Sequence, residues 1–144
     1  MSLPKRIRKI LIRTLSAALS PIYSGLGGIV YLHRVIEPDG SPRFAENTAL
    51  EISPANLAAI LADVQARGFQ IVTLDQVHQI LTRQLPPKKF IAFTFDDGYL
   101  DNLTLALPVF KKFAAPLALN LTTTLVGHDE NVWWYRLEHI LHIA

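Results

Sequence analysis

Two adjacent carboxylates, Asp96 and Asp97, are the side chains best placed to do chemistry. They follow an apolar run, residues 90–95, that predicts a strand buried on both faces of a parallel sheet. Catalytic groups of parallel α/β folds gather at the carboxyl ends of such strands. Two acids at this position are costly unless a metal ion, a hydrogen-bond network or a catalytic role holds them there. Gly98 permits the positive φ that a sharp turn after the pair requires.

The turn at the strand end allows the two carboxylates to take different roles. Consecutive side chains of a strand point to opposite faces, and a turn lets both approach one pocket from different sides. One carboxylate can then ligate a metal while the other accepts a proton from water, as in hydrolytic metal centres. The alternative interpretation is that Asp96 and Asp97 only cap a turn or a helix. That alternative is less economical because Asp101 or Asn102 is predicted to cap the next helix.

The elements that must position this pair alternate along the chain. Strands are predicted at residues 29–33, 71–74, 90–95 and 117–121, and the first of them is predicted to be buried. Ser53 followed by Pro54 is a strong helix start. Further helices are predicted from Asp75, from Asp101 or Asn102, and over residues 132–143. Alternating strands and helices predict a parallel α/β sheet or partial barrel.

Side-chain spacing predicts which helix positions face the core. The predicted inward residues of the two central helices are Leu57, Ile60, Leu61 and Val64, then Val77, Ile80 and Leu81. Pro108 falls inside the next helical pattern and is predicted to shorten or kink that helix. Residues 38–48 are predicted to form a polar loop.

Composition limits the classes of protein that this chain can represent. Its 144 residues suit a single domain, and 50% hydrophobic content is enough for a core, which excludes a disordered chain. The absence of cysteine excludes disulfides, thiolate zinc sites and cysteine nucleophiles. The length excludes a complete (β/α)8 barrel of about 250 residues. No apolar stretch is long enough to predict a membrane-spanning helix.

Positive charge is concentrated at the beginning of the chain. The net charge is +2 with 14 basic and 12 acidic residues, and five of the basic residues lie within the first thirteen positions. Nucleic-acid binding is therefore not predicted for the domain as a whole. Residues 4–19 predict a basic amphipathic helix, so the chain divides into residues 1–26 (helix and linker) and 27–144 (domain). That helix could pack on a protein surface, contact a membrane peripherally or act as a targeting peptide.

The block Phe-Thr-Phe-Asp-Asp-Gly-Tyr at 93–99, followed by Asp101 and Asn102, resembles the polysaccharide deacetylase family, also called the NodB-homology or carbohydrate esterase 4 group. Similar segments occur in the family's order at 31–35, 68–74, 106–109 and 132–135. The resemblance implies the N-terminal half of a deformed (β/α)7 barrel, a bacterial origin, and metal-dependent removal of N-acetyl groups from a glycan. We expect a location in the cytoplasm or at the membrane surface rather than secretion.

The same resemblance implies roles for three residues. Asp96 would be the catalytic base, Asp97 a ligand of a divalent metal (most often zinc), and His33 a site-lining or acid-donating residue. The alternative for His33 is a hydrogen-bonded histidine at a strand end. The family's metal site needs two further histidines in a His-x-x-x-His block, which this sequence lacks. We therefore expect a truncated, incomplete copy, or alternatively a non-catalytic remnant that binds a sugar, a membrane surface or a partner.

Trp133 and Trp134 offer one more candidate contact with a glycan, since indoles stack on the apolar faces of sugar rings. Packing of the pair against the rest of the domain is the favoured interpretation. The oligomeric state is not predicted by any feature of the sequence.

Overall fold

A computed structural model describes residues 25–40, 43–127 and 132–143. The strands are β1 Gly27–Leu32, β2 Arg34–Val35, β3 Glu51–Ile52, β4 Gln70–Ile71, β5 Phe90–Asp96 and β6 Ala118–Asn120. The helices are α1 Ala45–Thr48, α2 Pro54–Ala66, α3 Leu74–Leu81, α4 Leu107–Lys112 and α5 Trp133–Ile143. A π-helical turn, Asn102–Ala106, leads into α4, and a 3-10 turn, Thr123–Leu125, follows β6. The predicted basic helix over residues 4–19 lies outside the described residues.

β5 is the central strand of a four-stranded parallel sheet. β1 pairs with one edge of β5 from Gly27 opposite Phe90 to Leu32 opposite Phe95. β4 and β6 share the other edge, β4 at the amino end of β5 and β6 at its carboxyl end. β2 and β3 form a separate two-stranded parallel ladder. The predicted parallel α/β class is confirmed, and the carboxyl ends of β1, β5 and β6 meet at one edge of the sheet.

The central strand is buried on both faces, as its apolar sequence predicts. Phe93 and Phe95 pack in the larger core cluster, where both rings meet Phe110 of α4 edge-on at 5.4 and 5.8 Å between centroids. Phe90 and Ala92 point to the opposite face and pack against α3. Truncation of a buried phenylalanine such as Phe95 would cost about 3–5 kcal/mol. The core therefore fixes the strand that ends at Asp96.

The prediction that β1 is buried is wrong. Ile29 is 53% exposed and Tyr31 is 69% exposed. β1 is an edge strand of the described sheet, and these two side chains lie on the face opposite the larger core cluster. Strand propensity thus identified the element, but apolar content alone did not reveal which of its faces is covered.

The helix that starts at Ser53 forms as predicted. The Ser53 hydroxyl accepts a hydrogen bond from Asn56 N at 3.1 Å, and Pro54 occupies the first turn. Leu57 and Leu61 are completely buried, whereas the predicted inward residue Ile60 is 40% exposed. The helix contacts the core along the row formed by Leu57 and Leu61, which are four positions apart, and Ile60 lies beside that row.

The predicted strand at 71–74 is shorter than expected because Thr73 starts a helix. Its hydroxyl accepts a hydrogen bond from Gln76 N, and the Gln76 side chain accepts one from Thr73 N at 2.9 Å. This reciprocal capping box begins α3 at Leu74 rather than at Asp75. Leu81, the last residue of α3, is 64% exposed and not inward as predicted.

The segment after β5 also differs from expectation. Asp101 and Asn102 do not cap a helix, because both already have helical backbone and the Asp101 side chain makes no capping hydrogen bond. Near the start of this helix lies the π-helical turn, in which Leu107 N donates to Asn102 O. Pro108 is the second residue after that turn, and its missing N–H agrees with the predicted distortion.

The polar region at 38–48 contains the short helix α1, which periodicity did not predict because it is a single turn. Within the described part of the chain, no helix combines the length and the apolar character that a bilayer span requires.

Candidate active site

An unusual backbone turn at Asp97 and Gly98 follows β5, which ends at Asp96. Asp97 has a φ of 70° and Gly98 a φ of 71°, so two consecutive residues are left-handed. The positive φ of Gly98 favours glycine there, since side chains rarely adopt this backbone conformation. A non-glycine residue in this conformation carries a modest strain that functional sites often retain. The turn separates the direction of Asp97 from that of Asp96.

Asp96 lies at the edge of the sheet where β1 also ends. Its Oδ1 accepts a hydrogen bond from Asn120 Nδ2 at 2.9 Å, across the β5–β6 pair. Leu32 is opposite Phe95, so the next residue, His33, is at the level of Asp96. His33 is half-buried, and its ring meets Tyr31 edge-on at 6.0 Å. The structure therefore brings the two predicted catalytic residues to the same sheet edge.

Asp97 faces a different space. Its Oδ1 accepts a hydrogen bond from Thr122 Oγ1 at 3.2 Å. It lines a pocket of about 720 Å³ together with Arg34, Tyr99 and Tyr135, whereas Asp96 is not part of that lining. The two carboxylates thus have separate surroundings, which differs from the expectation that both approach one pocket.

Arg34 is the central cation of the pocket. Its guanidinium lies 5.0 Å from the ring centroid of Tyr99 and 4.6 Å from that of Tyr135, within the range of cation–π attraction. Its Nε donates to Asp101 Oδ2 at 2.8 Å. Burial lowers the pKa of Arg34, but the hydrogen bond and charge of Asp101 outweigh burial and leave that pKa above its ordinary value. The guanidinium is therefore always charged and is held in one position.

The two tyrosines remain neutral donors near physiological pH. Burial raises the pKa of Tyr135 to about 12. Burial and the negative charge of Asp97 raise the pKa of Tyr99 as well. The pocket wall therefore combines two carboxylates, Asp97 and Asp101, and the Arg34 guanidinium with two aromatic rings. The Tyr135 O–H donates to Glu51 Oε1 at 3.3 Å. Such a mixed wall suits a polar ligand.

Asp101 and Asn102 connect the two halves of the site. Asp101 Oδ1 accepts a hydrogen bond from Val35 N at 3.1 Å, and Asn102 Nδ2 donates to His33 O at 2.8 Å. The segment that carries His33 is thereby tied to the turn that follows Asp97. Reasoning from capping patterns missed this role. The signal in the sequence was that residues 31–35 and 101–102 both belong to the segments that resemble the deacetylase family.

Helix α5 is held over the pocket by a second polar cluster. Glu138 is 5% exposed and accepts hydrogen bonds from Phe44 N at 2.5 Å, Asn47 Nδ2 at 2.9 Å and Arg43 Nε at 3.2 Å. Burial alone would raise the pKa of Glu138, but these donors together lower it. Arg43 also pairs with Glu51. The cluster keeps Tyr135, one turn before Glu138, at the pocket.

The tryptophan pair at the start of α5 is only partly packed. Trp134 is half-buried beside Tyr135, with 6.4 Å between ring centroids, whereas Trp133 is 64% exposed. The favoured interpretation of packing therefore holds for Trp134 and not for Trp133.

The described residues do not by themselves fit a complete metal site. Among them, no group of three or more histidine, cysteine, aspartate or glutamate side chains is arranged to hold an ion. Asp97 offers a single carboxylate at the turn.

Comparison with known proteins identifies similar chains. YxkH of Bacillus subtilis (strain 168), provisionally named a polysaccharide deacetylase, is 27% identical over 89 residues, which are 61% of this chain and 32% of YxkH. The Streptococcus pyogenes deacetylase PplD, solved in complex with acetate, aligns with a TM-score of 0.55 at 26% identity, over 68% of this chain and 43% of PplD. The chain is thus similar to polysaccharide deacetylases. The resemblance to that family, noted from the sequence, is thereby confirmed.

Two further solved structures extend the likeness. IcaB from Ammonifex degensii aligns with a TM-score of 0.54 at 29% identity, over 66% of this chain and 38% of IcaB. A de-N-acetylase from Aggregatibacter actinomycetemcomitans shares the fold, with a TM-score of 0.60 at 19% identity over 71% of this chain and 39% of its own. No family model matches the chain. The chain spans about a third to two fifths of the length of the proteins it matches.

Proposed function

We propose that residues 27–144 form the amino-terminal part of a deacetylase domain that hydrolyses the N-acetyl groups of a glycan. One observation carries the proposal. Asp96 and Asp97 end the central strand of a sheet shared with deacetylases, and the turn after them directs the two carboxylates into different surroundings. The names of YxkH and PplD support the reaction class, and the open face of β1 supports a sheet that forms half of a larger barrel.

Asp96 is proposed as the general base. Amide hydrolysis needs a group that takes a proton from the attacking water while the C–N bond breaks and the amine leaves with a proton. The Asp96 carboxylate receives its hydrogen bond from a neutral amide, Asn120, so one oxygen remains available as an acceptor. His33, at the same sheet edge, is proposed to line the site or to donate the proton to the leaving amine.

Asp97 is proposed as one ligand of a divalent metal, with zinc the expected ion. Because the described residues supply one carboxylate and no complete ligand set, we derive no catalytic step through the metal. The two further ligands would have to come from histidines that this sequence does not arrange in the family's block.

The pocket beside Asp97 is the proposed site for the sugar. Its walls carry the faces of Tyr99 and Tyr135 and the positive charge of Arg34. Aromatic faces stack on sugar rings, and charged or phenolic donors can bind acetamido and hydroxyl oxygens. Trp133 is exposed next to Val132, which lines the pocket, and could extend this surface.

A nuclear magnetic resonance titration tests both assignments in the intact chain. With zinc, we expect amide shifts to concentrate at residues 96–98 and to disappear in Asp97→Asn. Asp75→Asn, which removes an exposed carboxylate on α3, is the matched control and should leave those shifts unchanged. With an N-acetylated chito-oligosaccharide, shifts are expected at Tyr99 and Tyr135. Zinc shifts that persist in Asp97→Asn would overturn its assignment as a ligand.

Acetate release addresses the completeness of the site. We expect the chain with zinc and a chito-oligosaccharide to release acetate at the background rate, because a three-ligand group is not present among the described residues. Sustained turnover that vanishes in Asp96→Asn would show instead that the chain is sufficient for catalysis.

A second candidate function is that of a non-catalytic module that binds a glycan or another partner. The lack of a three-ligand metal group among the described residues favours this candidate. It predicts sugar-dependent shifts around Tyr99 without any zinc-dependent shift at Asp97, so the two titrations separate the candidates.

A further inference from the structure

Positive charge is concentrated at the end of the sheet that lies opposite the carboxylates. We call this surface the amino edge and define it as the segments that precede the parallel strands, residues 25–26, 63–69, 82–89 and 111–117. Three hydrogen bonds connect these segments or the residues next to them. Two are between backbone groups, Phe90 N to Leu26 O at 3.0 Å and Gln70 N to Lys89 O at 2.9 Å. The third runs from the Gln65 side chain, Nε2, to Phe113 O at 3.1 Å. The amino edge is therefore one continuous surface.

The charge of this surface is strongly one-sided. Its basic residues are Arg67, Arg83, Lys88, Lys89, Lys111 and Lys112, and its single acid is Asp63. All six basic residues are exposed. Asp63 forms an exposed ion pair with Arg67 at 2.6 Å, which leaves five basic side chains without a matching acid on this surface. The carboxyl edge, by contrast, carries Asp96, Asp97 and Asp101.

Exposed leucines lie among these charges. Leu26 is 42% exposed, Leu81 64% and Leu85 38%. They line a groove of about 770 Å³ together with Pro86 and Pro87. Exposed leucines do not attract the phosphates of a nucleic acid, whereas a lipid surface binds both apolar side chains and the cations around them.

We propose that the amino edge is a docking surface for an anionic lipid membrane. Lysine and arginine are attracted to acidic headgroups, and the leucines would enter the interface between headgroups and acyl chains. The chain direction supports this assignment, because residues 1–24, with five more basic side chains, join the domain at Gly25 on the same edge. Docked in this way, the domain would point the Asp96–Asp97 edge away from the membrane.

Vesicle sedimentation of the full chain tests the charge requirement. We expect binding to phosphatidylcholine vesicles that contain phosphatidylglycerol and much weaker binding to phosphatidylcholine alone. The variant Lys88→Gln should bind about fivefold more weakly, and Lys88→Gln/Lys111→Gln/Lys112→Gln about 100-fold more weakly. Arg136→Gln removes one exposed positive charge from α5 and should change binding less than about twofold. A triple variant that binds like the wild type would overturn the proposal.

The orientation has a separate readout. The chain has two tryptophans, Trp133 and Trp134, both on α5 beside the pocket at the opposite edge. β5, with seven residues, separates the edges by about 20 Å. Brominated lipids should therefore leave tryptophan emission unchanged in samples that sediment with vesicles. Strong quenching would show that the chain docks through its carboxyl edge and would overturn the proposal.

Substitution of the leucines distinguishes binding to a membrane from binding to a soluble polyanion. Leu81→Ser/Leu85→Ser should weaken vesicle binding and leave binding to single-stranded DNA unchanged, and circular dichroism should confirm an unaltered fold. Vesicle binding that survives the double substitution would reduce the surface to a general polyanion site. None of these outcomes depends on deacetylase activity, so the docking proposal can fail while the proposed function stands.

Discussion

Two pairs of carboxylates in this chain differ in the number and kind of their partners. Within the described part of the chain, Asp96 and Asp97 each accept one hydrogen bond, from a neutral side chain. Asp101 and Glu138 each accept hydrogen bonds from an arginine, a backbone N–H and an asparagine. The first pair lies at the end of the central strand, and the second pair joins separate segments of the fold. The kind of partner therefore distinguishes the acids proposed to act in catalysis from those that hold the fold together.

The difference follows from what each carboxylate must do. A structural acid is most stabilising when charged donors and backbone N–H groups occupy its lone pairs. An acid that binds a proton, a metal or a substrate must keep lone pairs available. The comparison predicts that substitutions in the two pairs will have opposite effects on stability and on ligand binding.

The largest loss of stability is expected for Asp101→Ala. This change leaves Arg34 without its partner and the Val35 N–H without an acceptor, at a cost of about 3 kcal/mol in the free energy of unfolding. Asp63→Ala is the matched control, since it also removes a carboxylate paired with an arginine, but at an exposed site worth less than about 1 kcal/mol. Urea denaturation of both variants measures the difference. Equal losses would refute the structural role of Asp101.

A smaller loss, about 2 kcal/mol, is expected for Glu138→Gln. The amide keeps one acceptor for Phe44 N or Asn47 but no longer carries the charge that Arg43 needs. Tyr135 should become more accessible as α5 loosens. Tyrosine fluorescence cannot isolate this residue, so proton exchange of the α5 amides is the appropriate measurement. Unchanged protection along α5 would contradict the proposed anchoring.

Acid should remove the same stabilisation. The donors around Glu138 lower its pKa in the folded state. Its contribution is therefore complete above the unfolded pKa of about 4.3 and disappears as the pH falls through the lower folded value. The difference in Tm between the wild type and Glu138→Gln should be constant from neutral pH to about pH 5 and should shrink below about pH 4. A difference that grows in acid would mean that the sign of the pKa shift is wrong.

The smallest effect on stability is expected for Asp96→Asn, within about 0.5 kcal/mol of the wild type. The asparagine can still accept from Asn120, and no cation loses a partner among the described contacts. If this variant proved as damaging as Asp101→Ala, Asp96 would have to be counted with the structural acids, and its assignment as the base would lose its main support.

The sequence allowed the central strand and the paired aspartates to be predicted, because burial of Phe90 to Phe95 and the chemistry of two adjacent acids are local signals. The start of α2 was equally predictable, since the cap at Ser53 depends on residues three positions apart. The partners of Asp101 could not be predicted in this way. Arg34 and Val35 lie more than 60 positions earlier in the chain, and their contact depends on the pairing of β1 with β5.

Two misjudged positions show a second limit. The sequence pattern places Thr73 in a strand, but its reciprocal hydrogen bonds with Gln76 start a helix instead. The apolar pattern predicts that Ile29 is buried, yet Ile29 is exposed on the edge strand. In both cases the outcome depended on neighbours in space rather than on the preference of the residue itself.

The π-helical turn at Asn102–Ala106 has a consequence for sequence alignment. Its i→i+5 hydrogen bond encloses one residue more than an α-helical bond does. Residues before the turn are fixed by the contact of Asn102 with His33 O, and residues after it are fixed by Phe110 in the core. A relative with a regular helix at this position should therefore align with a one-residue gap between Asn102 and Leu107. An alignment without that gap would shift either the polar anchor or the core positions by one residue.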